Sequence, residues 1–515
     1  MEIGKKTSEL LSNLHLFNFL SELIHSKVSN RKSVIQERSY QSQILLRLWE
    51  NYNHDPKRHT IAEVDTGLGK RVLTYLLLKE TLPSQRALLL LHSTTSFSET
   101  IHYFIEEYGG FAEDEFHYIS SRTPGWLRKK IIMNRKSRII AATPQTFANA
   151  FEKIPDKEKP SFEIIIINEI DKIVRRQGDS RLLIFPYNSL LPHFISNGSW
   201  ILGMTGTIRD THVLYDPVKE QLEIHHEAIT LDKRIPDLYI LRMETILEET
   251  DMEEYIQYTD IEMYPIQPDS NLKDILNLIN DAIKGLREDA IEETLEERPG
   301  LLDSIPERQF ARVASMLEAR DSKKLMGLLL TRKYCTAMQP AKYRKFLFRL
   351  KQFGITKSQI EALPRMSQKV LSVLELIKKR PKNSKTVILC SYLDTAHLLQ
   401  EEIGRIGITP FLVTGETPRK EAVLNEFKGD SSNAVLVMTS VGERDIDLPQ
   451  ADLLIVYDVV NTVKTMYQRM KRTRGGRVLC LYYQDTFEER KVARLLNEIN
   501  QRYPWSSKID LQSRQ

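Results

Sequence analysis

The residues with the most chemistry to offer lie in the segment AEVDTGLGKRVLTYLLLKE. It reads as a strand, a glycine turn and a helix. Such a turn lets backbone N–H groups close around phosphates while a lysine reaches the outer ones. Thr66, Gly67, Gly69 and Lys70 fit that design, so ATP is the expected cofactor. The next position usually carries Ser or Thr, whose hydroxyl ligates Mg²⁺; here it is Arg71. Two roles are open for Arg71. Its guanidinium could pair with phosphate in place of the ion, or it could point to solvent or form a salt bridge.

A second apolar strand ends in chemistry as well, in EIIIINEIDKI. In nucleotide motors an Asp at that end holds Mg²⁺ and the following Glu polarises the attacking water. This chain has Asn168 and then Glu169. A neutral amide oxygen is a weaker partner for a hard cation than a carboxylate. No metal ligand set is therefore expected: Arg71 and Asn168 stand where the two ligands would be.

Two regions supply the elements that must position these groups. Apolar runs at Ala87–Leu91, Arg138–Ala142, Ile164–Ile167 and Trp200–Met204 alternate with amphipathic stretches, and so do runs at Thr386–Cys390, Pro410–Val413, Ala434–Met438, Leu453–Tyr457 and Val478–Tyr482. That alternation predicts an α/β chain with two parallel sheets wrapped by helices. From about 231 to 364 helical periodicity dominates, as in ILNLINDAIKGL. The expected organisation is a lobe over 1–230, a mostly helical insert over 231–364, a second lobe over 365–503 and a short polar tail over 504–515. At 515 residues the chain is too long for one core.

Charge is distributed unevenly within that middle region. Residues 243–300 hold 17 Asp/Glu against 4 Lys/Arg, and residues 332–382 hold 14 Lys/Arg against 2 Glu. The acidic block is a candidate protein-docking surface and the basic block a candidate phosphate-contacting face. The overall net charge of +4 argues for no partner by itself.

Seven motifs then arrive in the order of a superfamily II helicase, and the chain resembles the archaeal Hef / FANCM branch, kin to the RIG-I-like helicases. Arg38-Ser-Tyr40-Gln41 resembles the R-x-Y-Q signature whose glutamine reads adenine. AATPQT (Ala141–Thr146) resembles the strand-contacting ATPQT motif, and MTGT (Met204–Thr207) the coupling motif. VLVMTSVGERDIDLPQADLLIVYD and YQRMKRTRGGRV resemble the second-lobe motifs, the latter that of the arginine finger.

The resemblance implies two RecA-like lobes around a helical insert. It implies Gln41 with the phosphate loop for nucleotide, and Glu169, Gln468 and Arg472 as catalytic groups. It further implies Thr143, Pro144, Gln145, Thr146, Thr439 and Ser440 against a nucleic-acid backbone, with DNA favoured over RNA. Departures cluster: Asp445 and Lys471 replace motif glycines, and Gly475 takes the second finger slot beside Arg474. His92–Phe97 keeps one threonine of the family's APTKPL stretch. The Glu489-Arg490-Lys491 triplet lacks the strand and aspartate context of an XPF-type nuclease and reads as a charged helix face.

Other classes are set aside by composition. No apolar run reaches the roughly 20 residues of a membrane span, and MEIGKKTSELL has no signal-peptide pattern. Cys335, Cys390 and Cys480 show no metal or disulfide spacing, which favours a cytoplasmic setting. The expected function is a helicase-like protein on branched or duplex DNA, related to repair or recombination, with impaired or absent ATP hydrolysis. An active DNA helicase or translocase is one alternative. The other is a non-catalytic scaffold for a nuclease or an active helicase.

Overall fold

The computed structural model describes residues 38–510 except 55–56, 66, 93, 113, 178–179, 207, 209–211, 217–220, 226–228, 257, 298–318, 382, 431–433, 440–450, 460–462, 472–475, 504 and 506. The chain divides after Ile256 into two compact units.

Unit 1 is built on a seven-stranded sheet. Its strands are β1 (His59–Glu63), β2 (Ala87–Leu90), β3 (Phe116–Ile119), β4 (Ile139–Ala142), β5 (Ile164–Asn168), β8 (Trp200–Thr205) and β11 (Leu238–Leu241), in the spatial order β11-β1-β8-β5-β2-β4-β3. Every pairing is parallel. Two antiparallel pairs complete the numbering, β6 (Val174–Gln177) with β7 (Ser180–Leu183) and β9 (His212–Asp216) with β10 (Gln221–His225). Strands β1, β2, β4 and β8 are buried along their whole length. Covering both faces of a parallel sheet in this way requires near-continuous apolar runs rather than alternation. Helices α1 (Ser39–Asn53), α2 (Lys70–Leu76), α3 (Thr94–His102), α4 (Gly125–Met133), α5 (Pro144–Phe151) and α6 (Tyr187–Ser196) connect or flank the strands. A π-helical turn at Leu77–Thr81 continues α2.

Unit 2 repeats the plan. β12 (Thr259–Ile266), β13 (Thr386–Cys390), β14 (Phe411–Val413), β15 (Val435–Thr439), β16 (Leu453–Val456), β17 (Arg477–Tyr483) and β18 (Ser507–Asp510) form a parallel sheet in the order β14-β15-β13-β16-β17-β12-β18. The helices between β12 and β13 do not stand apart. Ile275, Ile279, Leu328 and Leu347 share one core cluster with Ile388, Val437, Ile455 and Leu481 of the sheet.

The two-sheet α/β class matches expectation, and every strand foreseen is present. The foreseen boundaries differ. Within the region read as a helical insert, β11 pairs with β1 and belongs to the first sheet, while β12 pairs with β17 and belongs to the second. Within the expected polar tail, β18 pairs with β12. These strands hide for physical reasons. β11 is four residues long, and only Leu241 of it is fully buried. β12 alternates buried and open positions and carries Pro265, which breaks a strand pattern. That proline is tolerated because β18 pairs only with Thr259–Glu262, so Pro265 is hydrogen-bonded from one side alone.

Candidate functional site

The parallel sheet of unit 1 sends its loops out of the carboxyl ends of the strands, where such folds place ligands. After β1 the chain passes Val64 and Asp65 into the glycine turn. Gly67 and Gly69 have φ of 88° and 81°, values that a residue with a Cβ adopts only under strain. A Cβ on Gly69 would also lie 2.5 Å from Gln41 Nε2. The glutamine of the R-x-Y-Q signature is therefore buried against the turn it is expected to serve. Its neighbour reinforces this, since Tyr40 Oη donates to the Leu68 carbonyl at 2.9 Å and receives Arg38 Nη1 at 3.1 Å. Burial raises the Tyr40 phenol above its ordinary range, so it stays a donor.

Lys70 opens α2 and folds back onto the turn, with Nζ donating to the carbonyls of Val64 at 2.9 Å and Asp65 at 3.3 Å. Arg71 leaves the same turn sideways. Its Nη2 lies 2.7 Å from Glu99 Oε2 on α3, and its guanidinium sits 4.5 Å from the centre of the Tyr103 ring. Of the two roles open for Arg71, the salt bridge is the one formed here.

At the end of β5, Asn168 Nδ2 donates weakly to Ser96 Oγ of α3 at 3.4 Å. Glu169 follows with a left-handed backbone, φ 55° and ψ 50°. In such loops Mg²⁺ is ordinarily held by a hydroxyl and a carboxylate. The hydroxyl position is a cation already paired with a carboxylate, and the carboxylate position is an amide. Among the described residues no group of three or more His, Cys, Asp or Glu is placed to hold a metal.

Two carboxyls near the strand ends were missed by the motifs. Asp171 is fully buried and accepts from Thr205 Oγ1 at 2.7 Å, tying the NEID segment to MTGT. Its signal was present as the fourth residue of Asn168–Asp171. Glu63, the last residue of β1, accepts from the Ile208 N–H at 3.2 Å and lies 3.9 Å from Arg242. Burial pushes its carboxyl up to about 7, against the pull of Arg242. Nothing in the motifs marks Glu63.

At the β4 end, Thr143 caps α5 with Pro144 at its first position, a favoured start. Thr143 Oγ1 donates to Thr146 Oγ1 at 2.7 Å, and the exposed Gln145 is held by Asn149 at 2.8 Å. In unit 2, Thr439 closes β15 and is buried. Thr66, Ser440, Asp445, Arg472 and Gly475 lie outside the described residues, as does the Gln468 side chain. Lys471 is buried.

Residues 34–210 match the family described as the res subunit of type III restriction enzymes, and residues 368–476 match the helicase conserved C-terminal domain. An ATP-dependent RNA helicase of Methanocaldococcus jannaschii is 23% identical over 494 residues, covering 86% of this chain. The chain spans 59% of that relative's length. The ATP-dependent DNA helicase mph1 of Neurospora crassa is 30% identical over 127 residues, covering 21% of this chain and 11% of mph1. Among solved structures, the Pyrococcus furiosus Hef helicase domain superposes with a TM-score of 0.55 at 19% identity, covering 90% of this chain and 98% of that one, a likeness of fold.

With one family match in each unit, the chain belongs to the superfamily II helicases. Within that class its fold is like that of the Hef helicase domain. The fold implies a nucleotide site. No described helix is long and apolar enough to cross a membrane.

Proposed function

We propose that this chain is a helicase-like protein that binds branched or duplex DNA in repair or recombination and turns over ATP weakly or not at all. The observation that carries the reading is the Arg71–Glu99 ion pair at 2.7 Å, with Asn168 bonded to Ser96 of the same helix, so that both residues at the expected metal positions are turned onto α3. Phosphoryl transfer needs the charge across the outer phosphates neutralised, which the metal ordinarily supplies. The glycine turn and Lys70 remain, so nucleotide binding is weakened far less than hydrolysis. Thr143–Thr146 and Thr439 remain as strand contacts, and those read the backbone rather than bases. DNA is favoured by the resemblance in motifs; the relatives include both a DNA helicase and RNA helicases.

The test is ATP hydrolysis with and without fork DNA, joined to gel shifts on DNA and RNA forks. Turnover near 1 s⁻¹ or faster, the low end of ordinary enzyme rates, overturns the loss of function in favour of a working translocase. Affinity should fall steeply with salt, as phosphate contacts do. The acidic residues 243–300 favour a second role, docking a protein such as a nuclease or an active helicase. Partner capture that survives neutralising those carboxylates would remove that role.

A further inference from the structure

One stretch of unit 1 is one-sided in charge. From Phe116 to Ala150 there are seven Lys/Arg and no Asp or Glu. The middle of it is the loop and helix that leave edge strand β3. Here Trp126, in the first turn of α4, is 70% exposed, the largest exposure among the described large apolar side chains. Lys129 and Lys130 lie three and four residues further along the helix, on the same face, and both are exposed. Arg122, in the preceding loop, is exposed too.

The loop that carries these groups is fixed rather than slack. Arg128 turns inward, donating from Nε to the Thr123 carbonyl at 2.6 Å and from Nη2 to the Ser121 carbonyl at 2.8 Å. The Ser120 N–H donates to Thr123 Oγ1 at 3.1 Å, and the Arg122 N–H to Ser120 Oγ at 3.2 Å. Its place in the sheet is set by register. Ile119 pairs with Ala142, so Ser120 leaves β3 beside Thr143, where the ATPQT motif leaves β4. An exposed indole costs solubility and is not needed by the core, whose nearby aromatic, Phe116, is buried.

We propose that Trp126 is a stacking platform for one unpaired base of a single-stranded nucleic acid, with Arg122, Lys129 and Lys130 holding the flanking phosphates. A flat aromatic face among cations, with no carboxylate nearby in sequence, complements a polyanion whose bases offer π faces. Base stacking tolerates any sequence, and the cations beside the ring supply phosphate contacts that are equally indifferent to it. The inference deepens the nucleic-acid reading and rests on it: the strand that passes Gln145 continues across α4, and its unpaired portion is gripped there.

Binding of labelled oligo(dT) and of a matched duplex, each followed by anisotropy across a salt series, tests the proposal. Trp126→Ala should weaken oligo(dT) binding about tenfold, as loss of one stacked base does, and leave the duplex little changed. The salt slope should stay put in that variant and flatten in Lys129→Ala/Lys130→Ala. Trp126→Phe should recover part of the affinity. Trp126 is the one exposed tryptophan among the described residues, so oligo(dT) should quench intrinsic fluorescence in the wild type and much less in Trp126→Phe. The substitution sits on the surface, and an unchanged melting curve checks the fold.

Wild-type affinity for oligo(dT) in Trp126→Ala overturns the platform while leaving the nucleic-acid reading intact. Equal loss on duplex and single strand overturns the assignment to an unpaired base. If the wild type binds neither nucleic acid, the reading on which the platform rests fails first.

Discussion

One sheet edge in unit 1 carries two regions that differ in kind. At the β1–β5 end the expected nucleotide groups are turned onto the protein itself: Lys70 onto the Val64 and Asp65 carbonyls, Arg71 onto Glu99, Asn168 onto Ser96. At the β4–β3 end the groups face outward, with Gln145, Arg122, Trp126, Lys129 and Lys130 all exposed. A motor needs both ends open to their ligands. On the proposed reading, strand contact and nucleotide chemistry are separable properties of one sheet, since they would draw on different loops.

The comparison breaks most sharply if the first end is reopened. Arg71→Thr with Asn168→Asp returns a hydroxyl and a carboxylate to the metal positions and frees Glu99 from its cation. ATP hydrolysis stimulated by DNA, measured as phosphate release with Mg²⁺, is expected to rise about 10²-fold, the scale on which one preorganised charged group acts in such sites. A double variant no faster than the parent would place the block elsewhere, with Asp445 and Lys471 the next candidates.

Second in size is the charge of the open end. Replacing Arg122, Lys129 and Lys130 by Ala should lower the slope of log affinity against log salt by about 2, at roughly 0.7 per phosphate contact on a single strand. The loss would then be largest at low salt and fade toward high salt. A slope equal to the wild type's would show that this face does not touch the strand.

How far these regions were legible beforehand follows from where their information lies. The closed end was readable as chemistry, because Gly67, Gly69 and Lys70 sit in one short string. What was not readable is the partner of Arg71. Glu99 lies 28 residues away on a helix whose approach is decided by packing, and no local pattern announces it. The sheets were legible because buried parallel strands are apolar throughout, as Ile164–Ile167 shows. β11, β12 and β18 were not, because a short or half-open strand is stabilised by neighbours distant in sequence. Trp126 fell between these cases: its residue type was in view, but only the fold reports that it is exposed.

Glu63 supplies a smaller effect and a control, since it supports the closed end without touching the nucleotide groups. Its carboxyl titrates near 7 in the fold and near 4.5 when unfolded, because burial disfavours the ionised form. Between those values the folded state holds a proton that the unfolded state has lost. This contribution to stability is therefore full below about pH 4.5 and disappears as pH rises through about 7. Glu63→Gln keeps an acceptor for the Ile208 N–H and removes the titration. The variant should be more stable than the wild type by about 2 kcal/mol at pH 8 and equal to it near pH 5, in denaturant melts. A constant difference across that range would assign the effect to packing instead.

The smallest expected effect is the most discriminating for Arg71. The Arg71–Glu99 pair is about a quarter exposed on both sides, and partly solvated pairs of this kind contribute up to about 1 kcal/mol. Glu99→Gln should therefore free Arg71 at small cost to the fold. If the guanidinium can then turn toward phosphate, affinity for a fluorescent ATP analogue in EDTA should rise about threefold, and Arg71→Ala should lower it. If Glu99 only anchors α3 to the turn, both substitutions would move melting temperature together and leave nucleotide affinity in EDTA where it was. Opposite signs in the two variants belong to a cation that serves the nucleotide; matched shifts belong to a strut. That distinction decides whether the closed end is a site awaiting its ligand or one that the chain has sealed against it.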